Sequence, residues 1–138
     1  MDGQFPHQKG SLMARIFVVD DERIVRMLLK EMLVKAGFQV EAFSSPLDAL
    51  DRIKQEPPDL LITDIFMPEK SGLEMILELR QSHTGLKIIA ISGDSPGSEG
   101  AYKESLEVAE ALGSARIIEK PFTAVQVVQA VNNALAAN

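Results

Sequence analysis

The sequence predicts an α/β fold, a doubly wound parallel sheet covered by helices on both faces. Three observations carry this. Short apolar or β-branched runs alternate with helix-period segments, so the order reads strand–helix five times over. The run Leu60-Leu61-Ile62-Thr63 holds no charge, which suits a strand buried on both faces. The runs end in polar residues, and open α/β sheets place their chemistry at the carboxyl ends of their strands.

The elements follow in order. Arg15-Ile16-Phe17-Val18-Val19 is a buried strand that ends in Asp20-Asp21-Glu22. Beyond it, Ile24, Leu28 and Met32 recur at four-residue spacing, as do Val25, Leu29 and Leu33, which predicts a helix with a wide apolar stripe. Gly37 closes that helix as a C-terminal cap. Residues Phe38 to Phe43 alternate apolar and polar, as a strand nearer the edge does. Ser45 caps a second helix with Pro46 at its first position and Leu47, Leu50 and Ile53 facing inward. Pro57-Pro58 break the chain before the central strand, which Asp64 stops; Pro68 and Gly72 mark the turn that follows. Leu73, Ile76, Leu77 and Arg80 set a third helix, ending near Ser82 to Gly85. Lys87-Ile88-Ile89-Ala90-Ile91 is a fourth strand ending at Ser92-Gly93. A polar loop, Asp94 to Gly100, precedes a helix over about Ala101 to Leu112 that stops at Gly113. Ala115 to Glu119 is the fifth strand, followed by Lys120-Pro121-Phe122. Thr123 caps the last helix, with Val127, Val131 and Leu135 as one stripe and Val128 beside it. Right-handed crossovers leave few topologies, and the economical one is the flavodoxin-like order 2-1-3-4-5.

Composition narrows the function. The chain has 138 residues, a net charge of -6 and no cysteine. One domain with a substantial core is expected. The charge argues against a nucleic-acid or anionic-membrane surface, and thiolate chemistry is excluded. His7 and His83 are the only imidazoles, so a Ser-His-Asp triad or multi-histidine metal site is not expected. No apolar run approaches the ~20 residues of a membrane span, and residues 1–13 lack a signal-peptide apolar core. Those residues read as a disordered leader, native or added for expression, before a domain over 14–138. A cytoplasmic location follows by default.

In the order 2-1-3-4-5 the first and third strands are neighbours, so Asp20, Asp21 and Asp64 converge within reach of one ion. Carboxylates this close repel, and a hard divalent cation relieves the repulsion; oxygen-only ligands with room for water suit Mg²⁺. Asp20 or Asp21 also reads as an N-cap, and the two roles are compatible. Ser92 and Lys120 end strands four and five on the same rim. Alone, they read as a turn hydroxyl and a solvated lysine. Together they supply a donor and a point charge for a phosphoryl group on Asp64, because a carboxylate can itself act as nucleophile. Pro121 raises the chance of a cis bond that aims the lysine inward.

Asp20-Asp21, Asp64-Ile65-Phe66-Met67-Pro68, Gly72, Ser92-Gly93 and Lys120-Pro121-Phe122 together resemble the motif set of the bacterial response-regulator receiver domain. The resemblance covers about Ala14 to Asn138, and the ordered placement of all the motifs makes it specific. It implies a stand-alone, Mg²⁺-dependent phospho-switch with no attached DNA-binding output. Asp64 takes a phosphoryl group from a phosphohistidine on a sensor histidine kinase or histidine phosphotransfer protein. Asp20, Asp21, Asp64 and the backbone carbonyl of Phe66 hold the metal. Ser92 swings toward the phosphoryl group and Lys120 pairs with it. The face formed by the helix over 101–112, the fifth strand and the last helix then changes its protein partner. Such a chain is a monomer or a phosphorylation-dependent dimer. It is a signalling switch rather than an enzyme, acting only in its own phosphorylation and dephosphorylation.

Three other readings fit these residues less well. A receiver-like interaction module working without phosphate would have no need of Asp20, Asp21, Asp64, Ser92 and Lys120 together. A phosphatase using an Asp nucleophile would carry a second acid where Phe66 stands. A flavodoxin would need a Ser/Thr/Gly-rich loop in place of Asp20-Asp21-Glu22. Three features depart from the receiver pattern: Ile117 replaces the frequent aromatic switch residue, leaving Tyr102 or backbone movement for the readout. The loop Asp94 to Gly100 lengthens the span between Ser92 and Lys120, as a tolerated insertion or a lid. Phe66 sits at the pocket mouth where a polar residue is common, and its bulk should limit water access. Phe66→Asn is therefore predicted to shorten the phosphoryl lifetime on Asp64 severalfold, measured by the decay of phosphorylated mass; an unchanged lifetime would exclude this role.

Overall fold

The computed structural model describes residues 14–65, 67, 70–93 and 116–137. The leader, Phe66, the loop 94–100, Tyr102 and the helix expected over 101–112 lie outside them. The described elements are β1 (Arg15–Val19), α1 (Arg23–Lys35), β2 (Gln39–Phe43), α2 (Pro46–Gln55), β3 (Leu60–Asp64), α3 (Gly72–Ser82), β4 (Lys87–Ser92), β5 (Arg116–Glu119) and α4 (Ala124–Ala136). The strands form one parallel sheet in the order β2-β1-β3-β4-β5, as expected.

Local chemistry sets the helix ends. The Ser45 side chain accepts from the Leu47 amide, with Pro46 opening α2. Ser71 and Glu74 form a reciprocal capping box on α3, and Thr123 and Gln126 form another on α4. Gly37 follows α1 at φ 101°, a conformation costly for residues with a Cβ. The Lys120–Pro121 peptide is cis.

Strand alternation divides the core in two. Ile16, Val18, Leu60, Ile62, Ile89, Ile91 and Ile118 face α1 and α4, packing on Leu29, Leu33, Val127, Ala130 and Val131. Phe17, Val19, Leu61, Ile88 and Ala90 face α2 and α3, packing on Ala49, Leu50, Ile53, Met75, Ile76 and Leu79. Every residue of β3 is buried. The central strand is therefore held from both faces and both edges, which gives its carboxyl end a fixed address.

The helix faces differ from expectation in particular positions. Ile24 and Leu28 of α1 point to solvent, and Leu29 and Leu33 carry the burial, with Val25 and Met32 packed beside them. Leu47 in α2 and Leu77 in α3 are also exposed; Ala49, Met75 and Leu79 take the inner positions. The apolar residues of α1 and α3 run round much of each helix, so spacing alone leaves the inward direction open. Proximity to the sheet decides it.

Candidate functional site

Strand register assembles the site. Val19 pairs with Thr63 in the β1–β3 ladder, so Asp20 and Asp64 leave adjacent strands one residue further on. The Asp20 amide donates to the Phe43 carbonyl at 3.1 Å, which extends β1 pairing to that carboxylate. On the other side Asp64 pairs with Ile91, and Ser92 follows. The Lys120 amide donates to the Ser92 carbonyl at 2.8 Å, bringing the lysine to the same rim. Gly72 lies behind Asp64: a Cβ there would overlap the Asp64 carbonyl oxygen, so only glycine allows α3 to start this close.

Asp20, Asp21 and Asp64 each offer a carboxylate oxygen, and these lie within 4.8 Å of one another. Asp20 and Asp64 are buried, and Asp21 is exposed. Lys120 Nζ reaches into the group, 3.1 Å from Asp64 Oδ2 and 3.5 Å from Asp20 Oδ2. It also donates to Glu22 Oε1 at 3.0 Å. Asp20 Oδ1 accepts from the Glu22 amide at 2.8 Å, and Arg26 Nη1 donates to the Asp20 carbonyl at 2.8 Å. Asp20 Oδ2 is buried and accepts no hydrogen bond. A buried carboxylate oxygen in that state is costly. It is the one such side-chain atom among the described residues.

Electrostatics follow from this packing. Burial pushes the Asp20 carboxyl up from its ordinary 3.8 to about 6; the Glu22 amide opposes the shift, and the Asp64 charge adds to it. Burial alone would lower the Lys120 ammonium, but the Glu22 hydrogen bond and the Asp64 and Asp20 charges outweigh it and hold the group above its ordinary range. Lys120 therefore stays charged at neutral pH. Hard oxygen donors, a buried oxygen with only a 3.5 Å ion pair to Lys120 and no hydrogen bond, and crowded negative charge together fit a divalent cation. The cluster could hold a metal.

The expected site residues thus fall into clear places. Asp20, Asp21, Asp64 and Lys120 are brought together. Ser92 is buried at the adjoining strand end. Phe66 lies outside the described residues. Sequence reasoning missed Glu22 as a partner of Lys120. A faint signal existed: Glu22 is the N-cap of α1, where short side chains are favoured, and it makes no side-chain cap.

Residues 16–132 match the sequence model of the response regulator receiver domain. The chain belongs to that family. It is 34% identical over 122 residues to the chemotaxis protein CheY of Bacillus subtilis, spanning 88% of this chain and 97% of that protein. It is 33% identical over 119 residues to CheY of Thermotoga maritima, spanning 86% and 94%. The receiver domain of NtrX from Brucella abortus superposes with a TM-score of 0.80 at 30% identity, covering 89% of this chain and 99% of that one. The five-stranded order and the acidic cluster thus belong to a receiver fold, and a CheY-like signalling switch is the class that the chain joins.

The Asp20 shift gives a pH test. Its folded pKa lies above the unfolded value, so the folded state holds the proton more tightly. The group's contribution to stability is full below about 3.8 and is lost as pH rises through about 6. Asp20→Asn should make the metal-free protein more stable than the parent by about 3 kcal/mol at pH 8. The difference should shrink through pH 6 and vanish near pH 4, as read by urea denaturation in EDTA. A difference independent of pH would contradict the burial argument.

Proposed function

We propose that this chain, with residues 14–138 as its working unit, is a phospho-accepting signalling switch. Asp64 receives a phosphoryl group from a phosphohistidine in a Mg²⁺-dependent reaction, and the change alters protein contacts. The observation that supports this best is the position of Lys120 Nζ, between Asp64 and Asp20, beside an Asp20 oxygen with no hydrogen bond.

Asp20, Asp21 and Asp64 would hold the cation, with the Phe66 carbonyl as a further oxygen donor. When bound, Mg²⁺ supplies charge neutralisation for the incoming phosphoryl oxygens. An Asp64 carboxylate oxygen attacks phosphorus. A P–O bond forms, and the donor's N–P bond breaks with its electron pair passing to the imidazole. Lys120 pairs with a phosphoryl oxygen as a fixed positive charge. Ser92 donates its hydroxyl to another. Hydrolysis of the aspartyl phosphate releases phosphate and restores the carboxylate, so the chain ends each cycle unchanged. Its own turnover resets the switch and serves no separate substrate.

Two surfaces support the partner side of this reading. Ile24, Met27 and Leu28 are exposed on one face of α1, which starts at the pocket, and Val125 is exposed at the start of α4. Such apolar residues beside an acidic pocket suit docking of a helical histidine donor, a sensor kinase or a phosphotransfer protein. The output face comprises β5, α4 and the helix expected over 101–112. Ile117 there packs partly against the α2–α3 core, so the readout would run through an aliphatic residue. A depression of about 320 Å³ lies on this face, bordered by Arg116, Glu119, Gln126 and Gln129. A cytoplasmic location and a monomer, or a dimer on phosphorylation, complete the proposal.

Intact mass after incubation with acetyl phosphate tests it. One added phosphoryl group is expected, dependent on Mg²⁺ and lost in Asp64→Ala. The absence of an adduct would favour a module that works without phosphate.

A further inference from the structure

We infer that Glu22 is a positioning residue that latches Lys120 across the mouth of the acidic pocket, opposing anions at Asp64 while favouring cations. The inference rests on the phosphoacceptor reading of Asp64 and adds a residue to it. Glu22 lies at the start of α1 and Lys120 just after β5, yet Lys120 Nζ meets Glu22 Oε1 at 3.0 Å, as close as it meets Asp64 Oδ2 at 3.1 Å. The bond joins two strand ends on opposite sides of β3. Glu22 is held for this task at its backbone, where its amide donates to Asp20 Oδ1 and its carbonyl accepts from the Arg26 amide. Its side chain gives nothing to the helix cap.

The two partners of Lys120 differ in kind. Asp64 is buried, with 5% of its side chain exposed, whereas the Glu22 side chain is 61% exposed. An exposed ion pair is weak and easily released. Glu22 can therefore let go of Lys120 while Asp64 keeps it. A phosphoryl group on Asp64 needs that ammonium and carries negative charge into the space that Glu22 faces. Glu22 then competes for the lysine and repels the newcomer. Toward a divalent cation the same carboxylate has the opposite effect, adding negative charge to the field of Asp20, Asp21 and Asp64. Opposite signs on anion and cation set this role apart from a structural one.

The test uses the full chain and the variants Glu22→Gln and Glu22→Asp. Mg²⁺ affinity is read by calorimetry, and the rate of phosphorylation by acetyl phosphate at saturating Mg²⁺ is read by intact mass. Glu22→Gln should weaken Mg²⁺ about two- to fivefold and speed phosphorylation about three- to tenfold. Glu22→Asp keeps the charge but is too short for the bond, so it should hold Mg²⁺ affinity near that of the parent while still speeding phosphorylation. Changes of one sign in both arms, or no change in either, would overturn the inference. A parent chain that takes no phosphoryl group would overturn the phosphoacceptor reading instead. The Mg²⁺ arm alone would then decide, with an unchanged affinity in Glu22→Gln counting against Glu22.

Discussion

The site depends on one ammonium set among carboxylates. Lys120 Nζ lies within 3.5 Å of Asp20, Glu22 and Asp64, while Asp21 stands beside them. One positive charge does not balance this group. The strain appears at Asp20: burial first, and the Asp64 charge after it, push its carboxyl upward, and its Oδ2 accepts no hydrogen bond. Buried charge is tolerated only when paired or bound to metal. The pocket is thus folded around a shortage of positive charge, and that shortage is its chemical capability.

The fold pays for this with rigidity elsewhere. β1, β3 and β4 are buried through most of their length, and the sheet packs helices on both faces. Each functional side chain leaves the end of a strand or the residue just beyond it. Ladder hydrogen bonds continue into the site through the amides of Asp20, Ile65 and Lys120, so repelling groups cannot drift apart. Gly72 removes the last obstacle by letting α3 begin against the Asp64 carbonyl. Close packing of this kind leaves little room to absorb a displacement at Asp64.

Strand positions were legible in the sequence because they obey short-range rules. β3 reads as an uncharged run, and Asp64 ends it. Ser45 and Thr123 read as helix caps, although the Ser71 cap and the reciprocal bonds accepted by Glu74 and Gln126 became visible only in the structure. Asp20, Asp64 and Lys120 could be brought together once the strand order was fixed. Helix facing was less legible. Ile24, Leu28, Leu47 and Leu77 match an apolar period yet face solvent, because periodicity names a stripe without naming the side on which the sheet lies. The bond from Glu22 to Lys120 spans the whole fold, and no local pattern reports it. The buried state of Asp20 Oδ2 likewise depends on packing from several elements at once.

The central claim is that Asp20, Asp21 and Asp64 form a cation site whose charge balance governs Asp64. Anomalous diffraction from crystals soaked in Mn²⁺, a substitute for Mg²⁺ with a usable signal, tests it most directly. The account predicts one dominant peak bounded by these three carboxylates, with Asp20 Oδ2 turned toward the ion or linked to it through water. A pocket without a peak at Mn²⁺ concentrations that saturate binding in solution, or a dominant peak elsewhere on the molecule, would contradict it.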